Sequence, residues 1–112
     1  MATQISESNI RQLTEELNHQ VSGEVRFDKM SRTLWSTDAS ICQIEPVGVV
    51  LPKSTEDVIA VLETAKNYGG SGLPRGGGTS LAGQTVGESI VIDFSRYMRK
   101  VTEINAEEGW VK

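Results

Sequence analysis

The sequence predicts an α/β (α+β) domain, a small sheet carrying two main helices, and three observations lead there. "VGVVLP", "KSTEDVIAVLETAKNYGG" and "SGLP" follow one another as strand, helix, strand, which is a βαβ unit with parallel strands and a right-handed crossover. A second amphipathic stripe precedes this unit, and a second apolar strand run, "SIVIDF", follows it.

In "SESNIRQLTEELNHQVSG", Ile10, Leu13, Leu17 and Val21 fall three or four residues apart. That spacing predicts a helix, with Ser6 or Ser8 as its cap and Gly23 as its stop. Residues 24–43 show no period and predict a long irregular connection. "VGVVLP" is a short β-branched run ended by Pro52, suited to a buried strand. Ser54 and Asp57 then make a capping-box-like start, and Glu56 and Asp57 complement the helix dipole. Val58, Val61, Leu62 and Ala65 supply the stripe of this helix, and Gly69 its C′ glycine. "SGLP" is a short, polar strand expected beside Val49–Leu51 as its parallel neighbour. "SIVIDF", "VTEI" and "WVK" complete the strands, the last two separated by the turn-like "NAEEG".

Composition narrows the function. The 112 residues suit one domain with one core. A net charge of −4 argues against nucleic acid as a partner, and no apolar run approaches the length of a membrane helix. The single cysteine, Cys42, excludes an internal disulfide and suits a reducing, cytoplasmic compartment. His19, the only histidine, lies beside the stripe of the first helix with no cysteine or carboxylate cluster around it, so no metal site is expected.

"LPRGGGTSLAGQTVGE", residues 73–88, carries the functional information. A glycine triplet weakens the folded state, so it implies either positive φ or close approach of a ligand to bare backbone. A dinucleotide-binding turn needs G-x-G-x-x-G opening into a helix, but the sixth position counted from Gly76 is Leu81. A P-loop needs lysine where Gln84 stands, and a strand instead of a helix follows. What remains is a loop after a strand with consecutive free N–H groups, the hydroxyls of Thr79 and Ser80, and Arg75 at its mouth. Such a loop suits a phosphate or pyrophosphate. A side chain at Gly77 is expected to obstruct the site, and positive φ there to add a folding cost of about 1 kcal/mol or more. These residues leave open a stand-alone nucleotide- or phosphate-binding module and a folded, non-catalytic fragment.

Four blocks in order, "WSTDAS", "GVVLPKSTEDVIAV", "PRGGGTSLAGQ" and "IVIDFSRYM", resemble the start of the PCMH-type FAD-binding domain of the vanillyl-alcohol oxidase superfamily. The branch they resemble is that of FAD-linked 2-hydroxy-acid dehydrogenases, the glycolate oxidase-like and D-lactate dehydrogenase-like enzymes. The resemblance covers residues 33–112. It implies that Arg75, Gly76, Gly77, Gly78, Thr79 and Ser80 bind the FAD pyrophosphate through main-chain amides. Leu81, Gly83 and Gln84 complete the loop, and Pro52 lies near the adenine end. Some members attach the flavin to a histidine in this loop. None stands here, so the resemblance implies FAD held non-covalently.

In that family a second subdomain completes the flavin site and a separate domain binds substrate. The resemblance therefore implies the N-terminal part of an FAD-dependent oxidoreductase acting on CH–OH groups of a 2-hydroxy acid such as D-lactate or glycolate. No catalytic residue is expected in this chain, which alone would be inactive. We divide it into an N-terminal helix, residues 1–23, and the first part of the FAD-binding domain, residues 24–112. Trp110-Val111-Lys112 begins a strand where the sequence stops, which predicts truncation before the second subdomain and self-association of the exposed remainder. Asp38 is expected to form an Asx-type turn rather than act as a base, Cys42 to be a small buried hydrophobe, and Arg96 and Arg99 to form a solvated basic turn.

Overall fold

The computed structural model describes residues 5–112. In chain order they form α1 (Glu7–Gln20), β1 (Glu24–Arg26), α2 (Lys29–Leu34), β2 (Gly48–Leu51), α3 (Thr55–Asn67), β3 (Gly72–Arg75), β4 (Ile90–Asp93), β5 (Ile104–Asn105) and β6 (Trp110–Val111). The α/β class holds. One sheet has the order β1-β2-β4-β3, with β1 antiparallel and the rest parallel, and β5–β6 is a separate antiparallel hairpin.

Both main helices begin at the expected serines. Ser6 Oγ accepts from Asn9 N and Ser54 Oγ from Asp57 N, and Gly69 ends the second helical segment at φ +75°. Leu13, Leu17, Val61 and Ala65 bury their stripes against Val50, Ile90 and Ile92, which share one face of the sheet. Leu62 departs from its expected place. It is 46% exposed and leans over Gly72 on the outermost strand. The opposite face presents Val49, Leu51 and Val91 to Trp35, Leu73 and Tyr97. Alternation along β2 and β4 thus serves two cores, which is why both strands are apolar throughout.

Strand order corrects one expectation. β2 and β3 are parallel, but β4 lies between them rather than β3 pairing with β2 directly. The reason is chemical. β4 (Ile-Val-Ile-Asp) is buried along its length and can occupy the centre, whereas β3 carries Pro74. The carbonyls of Ser71 and Arg75 accept from Ile90 N and Phe94 N of the β4 side, so Pro74, alternating with them, turns its donorless nitrogen to the open edge.

The connection expected over residues 24–43 contains two short elements instead. β1 pairs with β2, Glu24 opposite Leu51, and Asp28 caps α2 by accepting from Ser31 N at 2.9 Å. Three-residue and six-residue elements are too short to show a period. The turn from α1 into β1 passes so close to β2 that a Cβ on Gly23 would run into the Leu51 carbonyl.

Asp57 fixes that turn. Its carboxylate, 3% exposed, accepts from Ser22 N and Oγ at 2.9 Å each, Gly23 N at 3.0 Å and Lys53 N at 2.9 Å. Burial alone would raise its pKa. The hydrogen bonds from Lys53, Ser22 and Gly23 outweigh burial and hold it below the ordinary aspartate value. A depressed folded pKa means that the stabilisation is complete above the unfolded value of about 4 and is lost as pH falls through the folded value. Asp57→Ala strands buried N–H donors and should cost about 2–4 kcal/mol in denaturant unfolding at neutral pH. The gap between variant and parent should narrow below about pH 4.

Candidate functional site

Residues 76–89 connect two parallel neighbours, β3 and β4, with no helix between them. The segment leaves the carboxyl end of the sheet at Gly76 and must return to the amino end of β4. Its first residues stand at the edge where Leu51, Arg75 and Asp93 end their strands, the usual position of a ligand in sheets of this kind.

The glycines divide into two kinds. Gly78 has φ +69°, and a Cβ there would lie 2.9 Å from the Arg75 Cζ. Gly83 has φ +75°, and its Cβ would meet Cys42 Sγ at 2.9 Å. Both are glycine because the fold requires it. Gly76 and Gly77 have no positive φ. A Cβ on Gly76 would meet nothing within 4 Å, and one on Gly77 only Thr79 Cγ2 at 3.6 Å. Positive φ in the triplet therefore belongs to Gly78 and not to Gly77. Gly76 and Gly77 each forgo roughly 0.5–1 kcal/mol of backbone entropy with no return from internal packing.

Among the described residues, the backbone N–H groups of Gly76, Gly77, Gly78, Thr79 and Ser80 donate to no protein acceptor. Gly78 turns its carbonyl inward, accepting from Ala39 N at 3.0 Å. Gly76–Ser80 thus present consecutive amide donors without protein partners, while the Gly78 carbonyl is taken up by Ala39.

The predicted side chains behave differently from one another. Arg75 does not stand at the mouth. Its guanidinium folds against Gly78 and donates to the carbonyls of Trp35 (3.3 Å) and Thr85 (3.4 Å). Ser80 Oγ turns inward too, accepting from Ala82 N and Gln84 N and bonding to Gln84 Oε1. Thr79 and Leu81 are exposed. Arg75, Gly76–Ser80, Leu81, Gly83 and Gln84 thus form one unit. Pro52 does not join it. Fully buried beyond β2, it is separated from the loop by β4, roughly 10 Å away at normal strand spacing.

The "STDAS" segment packs against this loop. Asp38 makes the expected Asx-type turn, accepting from Ser40 N at 2.8 Å and from Ser40 Oγ, and its other oxygen accepts from Thr85 Oγ1 at 3.1 Å. The Ser40 hydroxyl, with the Ser40 amide and Thr85, holds its pKa below the usual aspartate value. Cys42 is exposed, contrary to expectation, because its segment forms the outer layer over Gly83 instead of entering either core. Arg96 is not simply solvated. It pairs with Glu24 at 3.3 Å and lies over the Tyr97 ring. His19 and Arg99 are exposed.

Two residues of the site were not singled out from the sequence. Asp93, buried beside Arg75 at the end of β4, accepts from Trp35 Nε1 at 2.7 Å and from Ser95 N and Oγ. Thr85 holds the far limb of the loop. The Asp-x-Ser spacing of residues 93–95 repeats that of residues 38–40 and could have pointed to Asp93; nothing local marks Thr85. Among the described residues no three metal-ligating side chains converge, and no helix is long and apolar enough to cross a membrane.

Comparison with known proteins shows the family. Residues 46–112 match the family model of an FAD binding domain. The chain is 43% identical over 94 residues to a D-2-hydroxyglutarate dehydrogenase of Escherichia coli, an alignment covering 81% of this chain and 9% of that protein. It is 32% identical over 86 residues to the mitochondrial D-lactate dehydrogenase (cytochrome) of Kluyveromyces lactis, covering 73% and 15%. In fold it resembles 4-ethylphenol oxidase from Gulosibacter chungangensis, with a TM-score of 0.68 at 19% identity, covering 94% of this chain and 22% of that one. The chain therefore spans about a tenth to a fifth of the length of these proteins.

The two kinds of glycine separate experimentally. Gly76→Ala should leave unfolding free energy unchanged or raise it by up to about 1 kcal/mol, since it restricts only the unfolded chain. Gly78→Ala should cost about 1–2 kcal/mol through strain and displacement of Arg75. Thermal and denaturant unfolding of both variants measure the difference.

Proposed function

The chain belongs to the FAD binding domain family, and from that premise we propose that Gly76–Ser80 hold the pyrophosphate of a non-covalently bound FAD. The observation that carries the proposal is the run of unpaired N–H groups in Gly76–Ser80, opening onto space that Gly76 and Gly77 leave empty. The fit is chemical as well as steric. The donors are neutral amides, the Arg75 guanidinium lies against Gly78, and the Gly78 carbonyl is taken up by Ala39. Leu81, Gly83 and Gln84 shape the loop in this reading. Pro52 lies two strands along the same edge, on the side assigned to the adenine. No histidine stands in the loop, which supports a non-covalent cofactor.

FAD supplies the redox chemistry when bound, accepting a hydride equivalent from a CH–OH group. The chain's own residues contribute binding and orientation. Asp38, on the segment tied to the loop, is occupied on both oxygens. The activity we propose belongs to a longer protein, an FAD-dependent oxidoreductase of 2-hydroxy acids, in which residues 24–112 begin the flavin domain and the N-terminal segment adds the helix Glu7–Gln20. Within that class D-lactate and glycolate are candidates. The similarity to D-2-hydroxyglutarate dehydrogenases supports D-2-hydroxyglutarate as a third. The exposed thiol of Cys42 suits a reducing compartment, and we place the protein in the cytoplasm.

We further propose that the chain by itself self-associates. Val101, Ile104 and Val111 are each more than 60% exposed on and beside the β5–β6 hairpin, and the outer edge of β3 is open. Sedimentation should show a concentration-dependent dimer or larger species, and a monomer across the whole range would contradict it.

The cradle is tested in the longer protein. Gly77→Val places a branched side chain over the donors without an internal clash. It should purify folded and free of flavin, as read by absorbance. Thr79→Ala removes one exposed hydroxyl and should weaken FAD by only about 0.5–1.5 kcal/mol. Stoichiometric flavin in the Gly77→Val protein would show that the pyrophosphate sits elsewhere. Turnover of D-2-hydroxyglutarate, D-lactate and glycolate by the flavin-loaded protein identifies the substrate.

A further inference from the structure

We propose that Asp38 is a positioning residue for the cradle: through Thr85, its carboxylate latches the return limb of the glycine loop to the segment 35–42, so that the donors of Gly76–Ser80 are ordered before a ligand arrives. The inference rests on the cradle reading and deepens it by assigning the loop's shape to a segment outside the loop.

Three ties connect the two segments. Thr85 Oγ1 donates to Asp38 Oδ2 at 3.1 Å, Ala39 N donates to the Gly78 carbonyl at 3.0 Å, and Arg75 bridges the carbonyls of Trp35 and Thr85. Thr85 is thus gripped at both its hydroxyl and its carbonyl. Asp38 is itself fixed, because Oδ1 accepts the amide and hydroxyl of Ser40. Such bracing matters here because a loop rich in glycine has the most backbone freedom to lose. Any ordering left until binding is subtracted from affinity.

Charge alone argues against a carboxylate in this place. An anion bound at Gly76–Ser80 would be repelled by Asp38, so the residue's value must be geometric. Each of its oxygens accepts a hydrogen bond. Asparagine can make the same set of contacts, with its carbonyl oxygen toward Ser40 and its amide donating to the Thr85 hydroxyl. Alanine can make none of them.

The test uses this chain labelled with nitrogen-15, FAD as the probe, and the variants Asp38→Ala, Thr85→Val, their double, and Asp38→Asn. Relaxation of the Gly76–Ser80 amides reports loop order without ligand, and their shifts on titration report affinity. Asp38→Ala and Thr85→Val should each loosen the loop and weaken FAD roughly 3- to 10-fold, the worth of one hydrogen bond. The double variant should be no weaker than the weaker single, because one contact is lost in all three. Asp38→Asn should bind within about twofold of the parent, by the retained hydrogen bonds. Thr85→Val leaves the Asp38 turn intact and remains decisive if Asp38→Ala does not fold. Multiplying effects in the double variant, or a loop as ordered and as tight in both singles as in the parent, would overturn the latch. The cradle reading is judged separately, by the flavin content of the Gly77→Val variant of the longer protein, and the relaxation data judge the latch whether or not the amides of this chain move with FAD.

Discussion

The buried carboxylate of Asp57 gathers three chain segments at one point, the turn after α1, the exit of β2 and the first turn of α3. The first two would otherwise leave N–H groups unpaired, and the carboxylate, carried by the third, satisfies them together. Because Gly23 must pass hard against the Leu51 carbonyl, that approach is possible only if its own N–H has an acceptor close by. The placement of β1 beside β2, the seating of α1 next to α3, and the direction in which α3 leaves the sheet all follow from the same contact.

With that corner fixed, strand chemistry settles the rest of the sheet. β2 and β4 are apolar on both faces and take the interior, and proline sends β3 to the edge. Inserting β4 between β2 and β3 has a functional consequence. The loop from β3 to β4 must leave at the carboxyl end and travel back along the margin of the sheet, so its glycine-rich beginning is held at the open edge and its far limb remains within reach of Asp38. An adjacent β2–β3 pair, with β4 outside, would instead place the start of the loop in the interior of the sheet and not at its margin.

A second organising theme is the use of short side-chain acceptors as fasteners. Asp38 and Asp93 each accept from the residue two positions on, and each reaches a distant group, Thr85 Oγ1 and Trp35 Nε1 respectively. Asp28 does the local part of this for α2. All of them stabilise irregular backbone that no helix or strand ladder supports, which is why the connections around the loop are ordered despite their lack of regular structure.

The helices α1 and α3, the strands β2 and β4, the hairpin turn at 105–109 and the irregular course of the glycine loop were legible in the sequence, because each is written in local terms: a 3.6-residue stripe, a β-branched run, a capping serine, a glycine triplet without a lysine or a following helix. β1 and α2 were not, since three and six residues carry no measurable period and owe their form to partners elsewhere. Nor could residue order say which glycine takes positive φ; Arg75 folding against Gly78 decides that. The exposure of Cys42, the inward turn of Ser80 and the distance of Pro52 from the loop are likewise products of packing between segments far apart in the chain. By itself the sequence determined the class of the fold and the chemistry the loop can offer, because propensity and hydrogen-bonding capacity are properties of individual residues. Only the tertiary structure decided strand order and which donors stay free, because both depend on what every other backbone group has already paired with.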